Sequence, residues 1–513
     1  MSRKGMGSSM DEQSAFVAPS HLLSPSDPDN PMNWPTHRRI YVSAASWAFG
    51  FTIAFGLTAY TAGIPEVVEE FDVTMTEAIL GMSLYLWGIV FAPIYTPHLS
   101  ERYGRSIIYL VSTFTFAFFT LGVAEAKNFA TVAICRFFAG LTGGPCLVLI
   151  EGTFADIWSA DLTNTYYAFL GLSSYLGAAA GPIIGGFVVA ARGWRWTQWV
   201  TMVFACASLL FGLGMNETYG REIPRRRNRY QGRPPPKQPP AESGVTLSQM
   251  VRITVITPLV MAVTEPVVIM CTIMLGFSFA VIFQWFITVP VVLMGVYGFT
   301  LQQAGLAFFA AVGGALLAAL TAIMIEQLLY RRISKNGHSM LMNIEYRLIP
   351  SMIGVFMIPG SLFWIGFTAD PSIHYLSPIL GTTLYVWGNL MIVISMITYL
   401  FDAYPPAGTL SALTLQACLR LALAGFLPLV ILTMFTDLTG KWALSIFGFI
   451  SIPLIAIPFI LFKFGARMRM RSKYSAGRMV VPVPSQEQHE PMMRDVELET
   501  RHSTAYEGAG PMV

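Results

Sequence analysis

The stretch LGAAAGPIIGG, residues 176–186, places four glycines and one proline inside a segment that is otherwise apolar. In the interior of a helix in water, glycine costs about 1 kcal/mol and proline about 3 kcal/mol relative to alanine. Gly177, Gly181 and Gly185 nevertheless recur at every fourth position, so they share one face of a helix. In lipid, a face of small residues allows two helices to approach closely. The stretch therefore predicts a membrane helix that packs tightly against a neighbour.

The composition of the whole chain is typical of a membrane protein. Of its 513 residues, 54% are hydrophobic and only 12% are charged, whereas soluble domains carry about 25% charged residues. The formal net charge of +3 is too small to indicate nucleic-acid binding. All 5 cysteines fall in apolar segments, without the spacing of metal ligands or disulfides, so we expect no metal site.

Apolar segments long enough to span a bilayer recur along the chain with short interruptions. Twelve can be counted, in two groups of six, and they predict an all-α integral membrane protein with two six-helix halves. The segments are 41–63, 76–97, 107–125, 129–151, 165–190, 196–215, 258–289, 303–327, 348–369, 377–401, 409–434 and 441–464.

A polar, proline-rich and strongly basic segment separates the two groups and has too few apolar residues to bury a core. The sequence therefore divides into five parts. These are a tail expected to be disordered (1–40), a first half (41–215), a linker (216–257), a second half (258–464) and a second tail expected to be disordered (465–513).

The distribution of basic residues predicts the orientation in the membrane. Lysine and arginine gather in the linker and after the second, eighth and last segments, whereas the first loop, PEVVEEFDVTMTE, contains neither. Because short basic loops stay in the cytoplasm, we expect the linker and both termini to be cytoplasmic. We expect a multi-pass protein of the plasma membrane, with the vacuolar membrane as the alternative.

The loop after the second segment, PHLSERYGRS at residues 97–106, combines charges with a turn glycine. Gly104 permits a tight turn, while Glu101, Arg102 and Arg105 can form ion pairs at the ends of the helices. The loop resembles the signature Gly-x-x-x-Asp/Glu-Arg-x-Gly-Arg-Arg/Lys of the major facilitator family, from which it departs at the first and last positions. The resemblance implies a charge network that holds an inner gate; an ordinary basic loop is the alternative.

The fourth segment carries an arginine about 10 Å inside the membrane, at 1.5 Å per residue. Charges at that depth are rare unless they face a cavity or a partner. This residue, Arg136, resembles the arginine that the proton-coupled branch of the family associates with proton transfer; a structural arginine bound to backbone or to a carboxylate is the alternative. In the same region Asp156 resembles the carboxylate that joins the gate network, and Glu151 is a further candidate for proton coupling.

Together with Pro182 and Gly186, the three glycines of the opening stretch resemble the antiporter signature of the drug:proton branch, Gly-x-x-x-Gly-Pro-x-x-Gly-Gly. The resemblance implies exchange of a substrate against protons, while close helix packing alone is the alternative. Pro182 also leaves a backbone carbonyl of its helix free, and that carbonyl must find a partner within the bundle.

The resemblance extends over almost the whole chain, from Asp27 to Arg471. DPDNPMNWP at 27–35, EYRLIPSMIG at 345–354 and YLFDAYPPAGTLSALTLQACLR at 399–420 resemble fungal drug:proton antiporters, including the polyamine/proton antiporters. This resemblance implies the major facilitator fold, in which two halves enclose a substrate site near the membrane midplane.

Further residues within the segments are candidates for proton coupling or for the substrate cavity. Glu265 lies near a helix end, where it could simply cap the helix, and Arg420 lies about twelve residues inside the eleventh segment. Aromatic rings and amides suit a cavity for bulky amphipathic ligands, although aromatic rings in membrane helices often face lipid. The cavity candidates are Tyr85, Trp87, Gln198, Trp199, Gln284, Trp285 and Asn389.

The leading hypothesis is a proton-coupled exporter of small amphipathic organic molecules, such as drugs, toxins or a fungal secondary metabolite, that works by alternating access. A polyamine/proton antiporter is the first alternative, and a facilitative or proton-coupled importer of a small organic solute is the second. A membrane enzyme would need a metal cluster or a nucleophile constellation inside the segments, and no histidine lies deep in any of them. We expect no cofactor, and the expected partners are the substrate, protons and the lipid bilayer for a monomeric protein.

Overall fold

The computed structural model describes residues 27–158, 163–232, 251–330, 344–438 and 440–475, and all the regular structure in these ranges is helical. Most of both predicted tails and the middle of the predicted linker lie outside the described residues. By length and composition, ten of the described helices could cross a membrane, or eleven if a bent pair forms one span.

The first half contains six membrane helices, and the second of them is bent by 44° between its two parts. Pro93 lies at the start of the second part and has no N–H for a helical hydrogen bond, which accounts for the break. The helices are α1 (Thr36–Ala59), α2 (Met75–Val90, continued by Ala92–Tyr103), α3 (Arg105–Ala124), α4 (Phe129–Ile157), α5 (Thr163–Arg192) and α6 (Arg195–Gly212).

The second half contains the other six membrane helices. The predicted segment 258–289 is displaced, because Glu265 has an extended backbone before Pro266 and residues 257–264 form a separate short helix. The membrane helix therefore begins at Pro266. The six helices are α7 (Pro266–Tyr297), α8 (Phe309–Ile325), α9 (Ile349–Thr368), α10 (Leu376–Ala403), α11 (Pro406–Asp437) and α12 (Gly440–Leu454, continued by Ala456–Arg471).

Each half forms its own bundle, and the two bundles meet along α2 and α11 and along α5 and α8. We call the end of the molecule where α1 begins and α12 ends the termini face, and the other end the opposite face. The turn between α2 and α3 and the last residues of α4 and α10 also lie at the termini face, because consecutive helices cross in alternating directions.

The described part of the linker contains a short helix, Glu222–Tyr230, which we call the linker helix. The segment before α1 holds it in place. Arg227 donates a 2.9 Å hydrogen bond to Asp27 and also forms an ion pair with Asp29. The guanidinium of Arg227 holds the pKa of the Asp27 carboxyl below its usual value of 3.8, because it donates hydrogen bonds to the ionised form.

Candidate functional site

A cavity of about 420 Å³ lies between the two halves and is lined by residues of both. Most of the lining side chains are apolar, and the aromatic ones include Phe279, Phe283, Trp285 and Phe286 of α7. Cavities of this size with apolar walls and a few polar groups bind small organic molecules. The cavity is therefore the candidate site.

The cavity extends to one face of the molecule. At the termini face its lining reaches Glu101, Arg105 and Phe401, at the ends of their helices. Towards the opposite face the lining ends at Ala179 on α5, 13 residues before that helix ends, and at Leu57 on α1. A ligand would thus enter the cavity from the termini face.

Close backbone contacts between the halves close the opposite face. A Cβ placed on Gly305 would lie 2.5 Å from the carbonyl oxygen of Pro182, and one placed on Gly186 would lie 2.9 Å from the carbonyl oxygen of Leu301. Pro182 and Gly186 of the glycine-rich stretch therefore pack against residues 301–305 of the other half. Only glycine allows this separation, because any side chain would overlap a backbone atom.

The remaining glycines of the stretch pack α5 against α1 within the first half. A Cβ on Gly177 would lie 2.5 Å from a backbone oxygen of α1, and one on Gly181 would overlap the hydroxyl oxygen of Thr58. The same hydroxyl donates a 2.8 Å hydrogen bond to the carbonyl of Ala178. Pro182 has no N–H to donate to that carbonyl, so the predicted partner of the free carbonyl is the side chain of Thr58.

Two opposite charges from different halves line the cavity. Glu151 of α4 and Arg420 of α11 both line it, and Arg420 is the charged group that acts on Glu151. The guanidinium of Arg420 lies 4.2 Å from the ring centre of Phe279. Among the described residues, neither side chain forms an ion pair or a hydrogen bond, so both are available to a ligand.

Arg136 lies outside this cavity and is buried within the first half. It donates hydrogen bonds of 2.8 and 3.5 Å to the carbonyl oxygens of Gly56 and Leu57. Its guanidinium lies 4.2 and 5.2 Å from the ring centres of Tyr60 and Tyr85. No carboxylate of the described residues is within ion-pair distance of it. This arrangement favours the alternative of a structural arginine bound to backbone.

Glu265 also lies away from the cavity. Its carboxylate accepts hydrogen bonds of 3.2 and 2.9 Å from the hydroxyls of Tyr404 and Ser472. It precedes the first residue of α7, where a negative charge is favourable to the helix dipole. The geometry favours the capping alternative over a role in proton coupling.

The charge network predicted at the α2–α3 loop is present in part. Arg105 and Asp156 form a 3.0 Å ion pair that joins the start of α3 to the end of α4. Glu101 forms no ion pair in the described residues and lines the mouth of the cavity, while Arg102 is exposed. Gly104 has a φ of +84°, a backbone conformation that favours glycine.

Glu217 is a member of this network that sequence analysis missed. Its carboxylate accepts a 2.8 Å hydrogen bond from the backbone N–H of Arg105 and a 2.9 Å bond from the hydroxyl of Ser106. Arg226 of the linker helix forms a 2.8 Å ion pair with it. Glu217 lies more than a hundred residues from Arg105 in sequence, and only its position in NETY, after α6, could have indicated the contact.

The second half repeats the ion pair of the first. Arg347, just before α9, and Asp402, near the end of α10, lie 2.8 Å apart. These positions correspond to Arg105 and Asp156 when the first six helices are matched in order to the last six. Both halves therefore have an arginine–aspartate ion pair between their third and fourth helices at the termini face.

Most of the predicted cavity candidates do not line the cavity. The Tyr85 hydroxyl bonds within its own half, to the carbonyl of Ile53 at 2.9 Å, and the amide oxygen of Asn389 accepts a hydrogen bond from Tyr175 of the other half. Trp87 also crosses between the halves and donates to the carbonyl of Ala422 at 3.2 Å. The residues concerned are Tyr85, Trp87, Gln198, Gln284 and Asn389, whereas Trp285 does line the cavity.

Known proteins share both the sequence pattern and the fold. Residues 46–427 match the Major Facilitator Superfamily. The chain is 28% identical to Polyamine transporter 4 of Saccharomyces cerevisiae, over 89% of this chain and 73% of that protein. It is 28% identical to the efflux pump FUBT of Fusarium oxysporum, over 82% of this chain and 72% of that protein. The crystal structure of the human organic anion transporter MFSD10 matches with a TM-score of 0.57 at 17% identity, over 83% of this chain and 100% of that one.

The two halves, the cavity between them and these matches define a membrane transporter for small molecules. The chain belongs to the Major Facilitator Superfamily. The predicted fold class, an all-α membrane protein with twelve helices in two halves, is confirmed.

Proposed function

We propose that the protein exports small amphipathic organic molecules across the plasma membrane in exchange for protons, with the termini face in the cytosol. The observation that carries this proposal is the cavity between the halves, which extends to the termini face and is closed at the opposite face. In this conformation a substrate enters from the cytosol. Separation of the halves at the opposite face then releases it outside, as in the alternating-access mechanism of transporters with two repeated halves.

The lining of the cavity supports an amphipathic substrate rather than a polyamine. Its acidic side chains are Glu101 and Glu151, and its lining also carries the basic side chains Arg105 and Arg420. A polyamine has several ammonium groups, and the lining offers them no excess of negative charge. Polyamine export is the alternative function, because one relative is named as a polyamine transporter.

Glu151 is the carboxylate that supports exchange with protons. It faces the cavity without an ion pair among the described residues, so either a proton or a donor group of the substrate can neutralise it. When two ligands compete for one group, each weakens the binding of the other, and this linkage is the basis of exchange. An acidic exterior then favours proton binding and substrate release.

The test measures efflux of a fluorescent amphipathic dye from vesicles that contain the purified full chain, with and without an imposed pH gradient. We expect the gradient to accelerate efflux by the wild type, and Glu151→Gln to remove the acceleration. Wild-type efflux that ignores the gradient would support facilitated transport instead. An impermeant thiol reagent that labels a cysteine at position 243 in intact cells would overturn the orientation.

A further inference from the structure

The cavity is lined by a negative side chain, Glu151, and a positive side chain, Arg420, that form no ion pair among the described residues, and most of the other lining residues are apolar. Glu151 belongs to the first half and Arg420 to the second, and Arg420 remains charged at every physiological pH. A charge in an apolar environment costs free energy unless it is paired. A ligand that neutralises only one of the two would leave the other without a partner.

Two polar atoms nearby also have no partner in the described residues. Trp285 and Gln416 line the cavity and are 3% and 2% exposed, and the atoms concerned are the indole N–H of Trp285 and the amide oxygen of Gln416. Gln416 lies four residues before Arg420 on α11, so the two share one face of that helix. Buried polar atoms are normally hydrogen-bonded, so one donor and one acceptor beside the cavity lack their usual partner among the described residues.

From these positions we propose that the cavity selects amphipathic zwitterions, in which an ammonium group pairs with Glu151 and a carboxylate pairs with Arg420, as in an α-amino acid with an apolar chain. The apolar chain then lies against the aromatic side chains of α7, such as Phe279 and Phe283. This inference rests on the proposed function in taking the cavity as the substrate site. A simple amine leaves Arg420 unpaired, and a simple acid leaves Glu151 unpaired.

Proton exchange requires that the binding of a proton weakens the binding of the substrate, and a zwitterionic substrate meets this requirement. A proton on Glu151 competes with the ammonium group, so proton and substrate exclude each other. A simple acid would behave in the opposite way, because protonation of Glu151 would remove a negative charge that repels the acid. The charged group that acts on Glu151 is Arg420 of α11, Glu151 in turn acts on Tyr167 of α5, and Glu101 and Arg105 also line the cavity.

The test compares three probes with the same apolar chain: 2-aminooctanoic acid, octylamine and octanoic acid. Binding to the full chain in lipid nanodiscs is measured by calorimetry. We expect the wild type to bind the amino acid at least ten-fold more tightly than either other probe. Glu151→Gln should remove the preference over octanoic acid, and Arg420→Gln should remove the preference over octylamine.

Two variants control for the loss of a charge elsewhere. Glu125→Gln and Arg192→Gln change exposed residues at the opposite face and should keep the ten-fold preference. Arg420→Lys keeps the positive charge and should keep part of the preference, which provides a measurement if Arg420→Gln does not fold.

The proposal is overturned if octylamine or octanoic acid binds the wild type as tightly as the amino acid, or if none of the three binds. It is also overturned if both cavity variants keep the wild-type preference. Dye efflux separates this result from the broader proposal, because gradient-driven efflux without zwitterion preference contradicts only the choice of substrate. Zwitterion preference without gradient-driven efflux contradicts only the exchange mechanism.

Discussion

The hydroxyl of Thr58 donates a 2.8 Å hydrogen bond to the carbonyl oxygen of Ala178, four residues before Pro182 on the neighbouring helix. Proline removes the N–H that would otherwise bond to this carbonyl. In a membrane interior no bulk water replaces the missing donor, so the side chain of α1 supplies it. The proline and the threonine thus form one structural unit, although they belong to different helices.

Thr58→Val should destabilise the protein by about 1 kcal/mol, because it removes one hydrogen bond from a buried carbonyl without changing the volume much. We expect a lower temperature of thermal unfolding for the purified protein. Thr115→Val is the matched control, since the Thr115 hydroxyl bonds only to carbonyls of its own helix. Equal unfolding temperatures for the two variants would contradict the role of Thr58.

Gly181→Ala should impair both folding and transport, because the added Cβ overlaps the hydroxyl of Thr58 and lies 2.7 Å from the backbone nitrogen of Ala59. The matched control is Gly360→Ala in α9, where a Cβ meets no atom within 4 Å. We expect the control to retain wild-type yield and efflux, and Gly181→Ala to lose several-fold in both. Tolerance of alanine at both positions would show that α1 and α5 are not in close contact.

Arg136→Lys should lower stability while leaving the dependence of efflux on the pH gradient unchanged. A lysine has one nitrogen and cannot bond to both carbonyls of α1 while lying between two tyrosine rings. The measurements are thermal unfolding and efflux per molecule, with and without a gradient. Should the variant unfold like the wild type but lose its response to the gradient, Arg136 would belong to the proton pathway after all.

Asp27→Asn should loosen the linker helix, since it removes the carboxylate that accepts hydrogen bonds from Arg227. We expect trypsin to cleave within Glu222–Tyr230 several-fold faster. The pKa of Asp27 is lowered, so its contribution is complete above its unfolded value, near 3.8, and is lost only as the pH falls through the lower folded value. The wild-type rate, corrected for the protease itself, should therefore be the same at pH 6 and pH 8.

The control for this experiment is Asp72→Asn at the opposite face. Asp72 has a φ of 51°, a conformation that asparagine also adopts readily. We expect no change in cleavage for this variant. Faster cleavage in both variants would indicate a general loss of stability rather than release of the linker helix.

The membrane helices were predictable because hydrophobic length is a property of the local sequence. The apolar segments and the glycine spacing at Gly177, Gly181 and Gly185 indicated both the helices and a close contact. They did not indicate which helix α5 contacts, since that depends on the packing of the whole bundle. The displaced start of α7 at Pro266 followed from the backbone of Glu265, which no hydrophobicity pattern records.

The candidate site was harder to predict than the fold. Deep charges such as Glu151 and Arg420 were identifiable because the membrane makes them costly. Amides and aromatic rings were not, because the side of a helix that faces the cavity depends on its rotation within the bundle. Gln198, for example, bonds to Thr197 at 3.0 Å rather than facing the cavity.

The two halves meet at the opposite face through backbone contacts of glycine. Among the described residues, no ion pair at the termini face joins the two halves, and the contacts of Gly186 and Gly305 at the opposite face join the halves without charges. Dissolved ions screen charges over about 8 Å at physiological ionic strength, but they have little effect on contacts between uncharged backbones. The seal at the opposite face is therefore insensitive to the salinity of the medium on that side of the membrane.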